Sequence, residues 1–319
     1  MSFRCGQITR RPKVARSGSF QSRGKIPDTK LRIRSWTTTH NPQHEDEMPA
    51  LEQVKYSQGA TVAAVTDFYA FLTKMYLPES AVVHPPPEGW PTLASDLSNL
   101  GKSDEVLSLL SHLPYVRQDD LDNTETPEVT PGGRWIDWRQ SGIWVREGGS
   151  DIDELRTISE GPAIMENVPE HVIGLTMSEH HVFLLDTELG VVYWPECPSR
   201  LRDGPHCIED DPYDYCDDDE DAEWRADGAA WSVADFFKVL KAQYRSLRWV
   251  PCSEYEVLDS ETEITKNPIP TLQGVYRRHG WPDLQQYRKE EYLEEAKAVR
   301  VATEQGGGGD EEGDDAEGA

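Results

Sequence analysis

The stretch VIGLTMSEHHVFLLDTELGVVYWPE, residues 172–196, carries more structural information than any other part of the chain. It contains three short apolar runs, VIGLT, HVFLLD and GVVYWP, each of which predicts a strand. The second and third runs are joined through residues 187–190, where Gly190 can adopt the positive φ that a tight reversal needs. The sequence therefore predicts a β-hairpin preceded by one further strand.

A helix is predicted downstream of the hairpin. Residues 231–250, WSVADFFKVLKAQYRSLRWV, place apolar side chains along one face, and Ser232 is a favourable N-cap residue. Strands and a helix that each have an apolar face can bury those faces against each other. The sequence therefore predicts an α+β domain.

Further elements are predicted on both sides of this region. Residues 61–77 have helical spacing, and residues 93–113 predict one or two helices with Ser103 as a cap. A charged helix is predicted over residues 284–299. Residues 135–146, WIDWRQSGIWVR, indicate a strand with a turn. The Trp residues in and around these segments are expected in the core or at its rim, namely Trp135, Trp138, Trp144, Trp194 and Trp231.

Charge is distributed unevenly along the 319 residues. Residues 1–44 contain ten Lys or Arg and one acid, a net charge of +9. The remaining residues carry 22 bases and 57 acids, a net charge of −35. A body of that sign repels phosphate, so the main domain is not expected to bind nucleic acid. Basic protein partners are favoured by the same argument.

Composition bears on the cellular compartment. No run approaches the roughly 20 apolar residues that cross a bilayer, so no membrane segment is expected. No apolar segment follows Met1 as it would in a secretory signal. Five Cys at irregular spacing fit reduced thiols better than a disulfide framework. We expect an intracellular protein, in the cytoplasm or nucleus, whose oligomeric state the sequence does not indicate.

The composition predicts three regions. Residues 1–50 are rich in Arg and Ser and predict a disordered basic arm, although a mitochondrial presequence and a basic localisation patch stay open. Residues 51–303 are expected to form the α+β domain. Residues 304–319, with a Gly run and many acids, predict a disordered tail.

An acidic segment separates the hairpin from the helix. Residues 209–223, EDDPYDYCDDDEDAE, contain ten acids and no Lys or Arg, which predicts a solvated loop. We call this segment the acidic loop and expect it to attract a basic partner or the chain's own basic arm. The residues expected to bind are its acids and the exposed aromatics beside them: Asp210, Asp211, Tyr213, Asp214, Tyr215, Asp217, Asp218, Asp219, Glu220, Asp221 and Trp224.

Metal and cofactor sites are not expected. Cys197, His206, Cys207 and Cys216 lie close together in sequence, but they lack the pairing at two to four residues that structural zinc sites use. The acidic loop has oxygen ligands suited to calcium, but it lacks the order of acids and the turning Gly of a calcium loop. The sequence therefore predicts neither a metal nor a cofactor.

Catalytic motifs are not found in the sequence. It contains no nucleophile elbow, no HExxH zinc motif and no phosphate loop, and Gly101-Lys102-Ser103 matches only the end of the last motif. His180 and His181 are expected at a turn before a strand, where an exposed His is common. We therefore expect a non-enzymatic protein. The alternative is an enzyme of unrecognised type, with a His and carboxylate site assembled from distant segments.

A family resemblance rests on the hairpin and the helix after it. The positions that carry it are Leu185 and Asp186 in a strand, Gly190 in the turn, and Ser232, Phe236 and Phe237 at the start of the helix. This order resembles the SUKH superfamily, which includes fungal cell-wall assembly regulators of the Smi/Knr type and bacterial immunity proteins. The resemblance covers about residues 154–250. It implies a mixed sheet with helices packed on one side and a regulatory, protein-binding module.

Overall fold

The computed structural model describes residues 50–118, 126–178, 181–202, 204, 206–208, 222, 224–225, 228–261 and 268–306. All of these residues belong to one structural unit, His44–Ala319. Apart from Ala50, the predicted basic arm lies outside the described residues. The last helix runs to Gly306, into the predicted tail, and the rest of the tail also lies outside.

Helices make up the larger share of the described chain. The α-helices are α1 Gln58–Met75, α2 Leu93–Asp96, α3 Asp104–His112, α4 Trp138–Glu147, α5 Ile152–Glu160, α6 Ser199–Arg202, α7 Val233–Arg245, α8 Ile269–Arg278 and α9 Lys289–Gly306. Two short 3-10 helices span Leu51–Gln53 and Glu79–Ala81. Together with the strands below, they confirm the predicted α+β class.

Within the described residues the strands are short and form four small sheets. They are β1 Val82–Val83, β2 Tyr115–Val116, β3 Arg134–Trp135, β4 Val172–Gly174, β5 Thr176–Met177, β6 Leu184–Asp186, β7 Val191–Trp194, β8 Ala229–Ser232, β9 Trp249–Pro251 and β10 Val257–Asp259. The strand order is β4-β6-β7-β8 in one sheet, and β1–β2, β3–β5 and β9–β10 in the others. Every described pairing is antiparallel, which corrects the mixed sheet that the resemblance implied.

The predicted hairpin is formed by β6 and β7. Asp186, at the end of β6, accepts hydrogen bonds through Oδ1 from the backbone N–H groups of Glu188 and Leu189, each at 2.8 Å. Gly190 has φ +76°, the left-handed conformation that the reversal requires. The structure therefore confirms both the turn and the role of Gly190 in it.

Both faces of the four-stranded sheet are buried. Along β7, Val192 and Trp194 belong to the main core, whereas Val191 and Tyr193 belong to a second and smaller apolar cluster. This alternation follows from the two-residue period of a strand. The second cluster, called the outer cluster below, consists of Leu51, Val168, Val172, Leu184, Val191, Tyr193, Ile208, Trp224 and Ala230.

Helices α1 and α7 contribute to the main core. The rings of Phe68 in α1 and Phe237 in α7 have centroids 5.3 Å apart, and Phe236 packs edge-on against Phe183 at 4.9 Å. Through these contacts the paired Phe residues dock the helix onto the main core. Four of the five Trp residues named above are buried, and Trp144 is partly exposed.

Residues 138–147 form helix α4, so the predicted strand over 135–146 is correct only at Trp135. The helix begins because Asp137 accepts a hydrogen bond from the backbone N–H of Gln140 at 3.1 Å, as an N-cap does. Gly142 fits closely against α2, since a Cβ there would lie 3.2 Å from the Cβ of Asp96. A turn was expected in this segment, but Gly142 lies within a helix and contacts α2.

Two helices begin or end at other residues than predicted. Within residues 231–250, the first residues belong to β8 and the last belong to β9, so the helix itself is Val233–Arg245. Its cap was predicted correctly, because Ser232 Oγ accepts from the backbone N–H of Asp235 at 3.2 Å. The C-terminal helix begins at Lys289 rather than residue 284, since the chain first makes a turn in which Asp283 accepts from the N–H of Gln285.

Candidate functional site

The segment that leads into α1 crosses the tip of the hairpin. A Cβ added at Gly190 would lie 2.5 Å from the backbone nitrogen of Tyr56 and 2.7 Å from the carbonyl carbon of Lys55. Gly190 therefore serves two purposes, the positive φ of the turn and the close approach of this segment. On the same side, Leu51 inserts into the outer cluster.

A groove of about 600 Å³ opens where this segment, the start of α3 and the hairpin turn meet. Its apolar part is formed by Leu51, Val54 and Leu189. We call it the hairpin groove. Its lining residues are Leu51, Glu52, Val54, Lys55, Tyr56, Glu105, Thr187, Glu188 and Leu189.

The charged rim of the hairpin groove is predominantly acidic. Glu52, Glu105 and Glu188 are exposed, and Lys55 is the one base among the nine lining residues. Burial raises the pKa of the Tyr56 phenol well above its ordinary value, and the nearby carboxylate of Glu105 raises it further. The groove therefore combines an apolar floor with negative charge, a combination that suits a basic ligand.

The acidic loop itself lies almost entirely outside the described residues. Of the residues predicted to bind, ten fall there: Asp210, Asp211, Tyr213, Asp214, Tyr215, Asp217, Asp218, Asp219, Glu220 and Asp221. The structure does describe the residues next to the loop, Ile208 before it and Trp224 after it. Both are buried in the outer cluster. The two ends of the loop are therefore held on the same face of the sheet.

Trp224 is buried, which corrects the prediction that it is an exposed aromatic. Its ring packs edge-on against Tyr193, with centroids 5.1 Å apart. The guanidinium of Arg225 lies 5.6 Å from the Trp224 ring centroid, and its Nη1 donates to the Tyr193 hydroxyl at 3.1 Å. Trp224 therefore anchors the end of the loop and cannot present its indole to a partner.

The cysteines in the described part of the chain do not form a metal site. Cys197 and Cys207 are buried, and burial raises the pKa of Cys197 to about 12. Among the described residues, no group of three or more His, Cys, Asp or Glu side chains could hold a metal ion. Cys216, the fourth residue of the zinc hypothesis, lies outside those residues.

The enzyme alternative requires a His and a carboxylate side by side, and two such pairs are His279 with the partly exposed Glu295, 2.8 Å apart, and His171 with the buried Asp186. His171 Nε2 lies 3.8 Å from Asp186 Oδ2, and Asp186 is buried while His171 is partly exposed. The other oxygen of Asp186 already accepts the two backbone hydrogen bonds of the hairpin turn. The carboxylate therefore serves the turn, and neither residue lines the hairpin groove.

Two further residues weighed as catalytic occupy structural positions. His181 is buried among aromatic rings, with its centroid 5.2 Å from that of Trp194, so the exposure expected for it is wrong. Lys102 is also buried, and its Nζ lies 2.6 Å from Glu160 Oε1 and donates to the carbonyl of Pro169. Lys102, which matched the end of a phosphate loop, therefore forms a buried ion pair.

Comparisons with known proteins add no family. No family model matches the sequence, and no curated protein or solved structure is significantly similar to it. The resemblance to the SUKH superfamily stays a prediction. Within the described residues, no helix combines the length and apolar character needed to span a bilayer.

The hairpin groove was not found from the sequence. Its acids are single residues, Glu52 before α1, Glu105 in the first turn of α3 and Glu188 in the hairpin turn. No spacing connects them, because the fold brings together three distant segments. The only part of the groove that the sequence predicted was the hairpin turn. Nothing in the sequence indicated which segments pack against that turn.

Proposed function

We propose that this chain is a non-enzymatic interaction module that captures a basic protein partner through the acidic loop. One observation carries the proposal. The residues that flank the loop, Ile208 and Trp224, are both buried in the outer cluster on one face of the four-stranded sheet. A segment with ten acids in fifteen residues is therefore held at both ends by an ordered scaffold.

Charge supports the same proposal. The chain beyond residue 44 carries a net charge of −35, and the loop concentrates ten of its acids. A field of that sign raises the rate at which basic partners meet the surface, and it does so most strongly at low salt. Binding of this kind needs no deep pocket, which agrees with the shallow character of the hairpin groove.

The proposal assigns different roles to the predicted binding residues. The acids of the loop supply the attraction, and Tyr213 and Tyr215 are the aromatics available for contact. Trp224, buried against Tyr193, holds the loop in place instead. Replacing Trp224 would therefore disturb the scaffold and would not report on contact with a partner.

The test replaces the acids of residues 209–223 with Ser or Asn and measures capture on beads that carry an oligo-arginine peptide. We expect capture to weaken strongly while the melting temperature stays close to that of the wild type, because the acids are predicted to be solvated. Binding of the wild type should fall steeply as salt is added. Unchanged capture by the variant, or wild-type capture that is flat from low to physiological salt, would overturn the proposal.

A further inference from the structure

We infer that the hairpin groove binds a short basic segment of the partner that also carries an apolar side chain. The inference rests on the proposed function and adds a second contact surface to it. The acidic loop would attract the partner by charge, whereas the groove would select a segment by combining charge with apolar contact.

The floor and the rim of the groove suit such a segment. Leu51, Val54 and Leu189 offer apolar surface between the 3-10 helix and the hairpin turn. Val54 and Leu189 are only partly buried, so they retain surface that a ligand can cover. Covering apolar surface stabilises a complex, and this contribution does not weaken with added salt as the ion pairs do.

Charge complementarity identifies the ligand as basic. Three carboxylates and one ammonium group border the groove, so an Arg or Lys is attracted to it and an acid is repelled. Glu105 lies in the first turn of α3 and is exposed. Glu188 is also exposed, with His171 Nδ1 3.7 Å from its Oε1. An arginine side chain can bind such carboxylates while its methylene groups cover the apolar floor.

The groove and the two residues that flank the acidic loop share the outer cluster. Leu51 lines the groove and also belongs to the outer cluster, which contains both flanking residues of the loop. Leu189 packs against the same cluster. One basic partner can therefore engage both surfaces, and two linked contacts bind more tightly than either alone.

The experiment measures binding of a short fluorescein-labelled peptide of alternating Arg and Leu by fluorescence anisotropy at physiological salt. The test variant is E52Q/E105Q, and the matched control is E147Q/E290Q. Each pair removes two exposed carboxylates, and Glu290, like Glu105, lies in the first turn of a helix. Both variants have the same net charge, so only the position of the lost charge differs.

We expect E52Q/E105Q to bind the peptide about fourfold to twenty-fivefold more weakly than the control, since each of the two exposed ion pairs contributes roughly twofold to fivefold in affinity. A peptide with Ser in place of Leu should bind the wild type more weakly and should discriminate less between the two variants. Equal binding by the two variants would overturn the inference.

The competing occupant is the chain's own basic segment, residues 1–44. A full-length variant with the Lys and Arg of that segment replaced by Gln tests it. If the peptide binds the groove only in that variant, the inference of a partner segment is overturned.

Failure of the proposed function is recognised separately. In that case the loop-neutralised chain would still bind oligo-arginine, whatever the groove variants do.

Discussion

At the scale of single residues, Gly190 is important because it has no side chain. Both the hairpin turn and the segment leading into α1 require this. Its φ of +76° matches the φ of +75° at Gly148. A Cβ added at Gly148 would have nothing within 4 Å, whereas a Cβ added at Gly190 would lie 2.5 Å from the backbone nitrogen of Tyr56. The two glycines share the same positive φ and differ in their surroundings. They form a matched pair for mutation.

We expect Gly148→Ala to lower the free energy of unfolding by about 1–2 kcal/mol, the strain of a left-handed residue. Gly190→Ala should lower it by a further ~1–3 kcal/mol, because the added methyl group forces the backbone of Lys55 and Tyr56 away. Urea unfolding of both variants measures the difference. Equal losses would show that the segment before α1 does not press on the hairpin turn.

Glu128 predicts a dependence of stability on pH. Burial raises the pKa of its carboxyl above the ordinary value of 4.5, although Oε2 accepts a hydrogen bond from the backbone N–H of Val257 at 2.8 Å. A raised pKa means that the folded chain binds the proton more tightly than the unfolded chain does. The free energy of unfolding therefore falls as the pH rises above 4.5.

The variant Glu128→Gln should remove this part of the pH dependence, since an amide does not ionise. We expect the wild type to lose more stability than Glu128→Gln between pH 4.5, the ordinary pKa of the carboxyl, and neutral pH. Urea unfolding at the two pH values checks it. Parallel changes in both proteins would mean that the pKa of Glu128 is not raised.

Residue-level predictions succeeded where the reason was local. The roles of Gly190 and Ser232 follow from φ and from capping, which depend only on neighbours in sequence. The exposure predicted for His181 and Trp224 was wrong because burial depends on distant segments. Trp224 is covered by Tyr193 of β7, and no pattern in the sequence connects these two residues.

At the scale of elements, α4 shows how a short apolar pattern misleads. WIDWRQSGIWVR was interpreted as a strand because aromatic and branched residues favour strands. The same segment places Trp138, Ser141 and Gly142 on one helical face, and Asp137 caps it. Gly142 lowers helix propensity, and yet it is what allows α4 to approach α2 closely. Tertiary packing therefore decided the structure of this segment.

Helix α7 offers a test of a cap that was predicted correctly. Ser232 Oγ accepts from the N–H of Asp235 and donates to Asp235 Oδ2 at 2.7 Å. We expect Ser232→Ala to lower the free energy of unfolding by about 1 kcal/mol. Ser232→Thr, which keeps the hydroxyl, should retain most of that stability. If Thr loses as much as Ala in urea unfolding, the cap does not stabilise the helix.

At the scale of the whole molecule, sequence predicted the α+β class and the hairpin but not the site beside it. Periodicity and turn residues act over a few neighbours, so they indicate single elements. The hairpin groove needs Glu52, Glu105 and Glu188 to converge, and convergence is a property of the folded chain. The outer cluster explains the approach of Glu52 to Glu188, since Leu51 and the hairpin strands pack together in it, whereas Glu105 comes from α3, which packs in the main core.

Net charge is the whole-molecule property on which the proposed function depends. Acids are abundant in both the acidic loop and the C-terminal residues, but only the loop is flanked by residues buried in the outer cluster on both sides. A general effect of charge would make the two segments equivalent. A specific role of the loop would make them different.

The most direct measurement compares two full-length variants that lose the same charge. In one, Asp214, Asp217, Asp218, Asp219, Glu220 and Asp221 of the loop become Asn or Gln; in the other, Asp310, Glu311, Glu312, Asp314, Asp315 and Glu317 do. The dissociation constant of a labelled oligo-arginine peptide is measured for each at physiological salt. We expect the loop variant to bind much more weakly and the tail variant to bind nearly as well as the wild type. Equal weakening of the two would contradict the central claim, because it would assign the attraction to net charge alone.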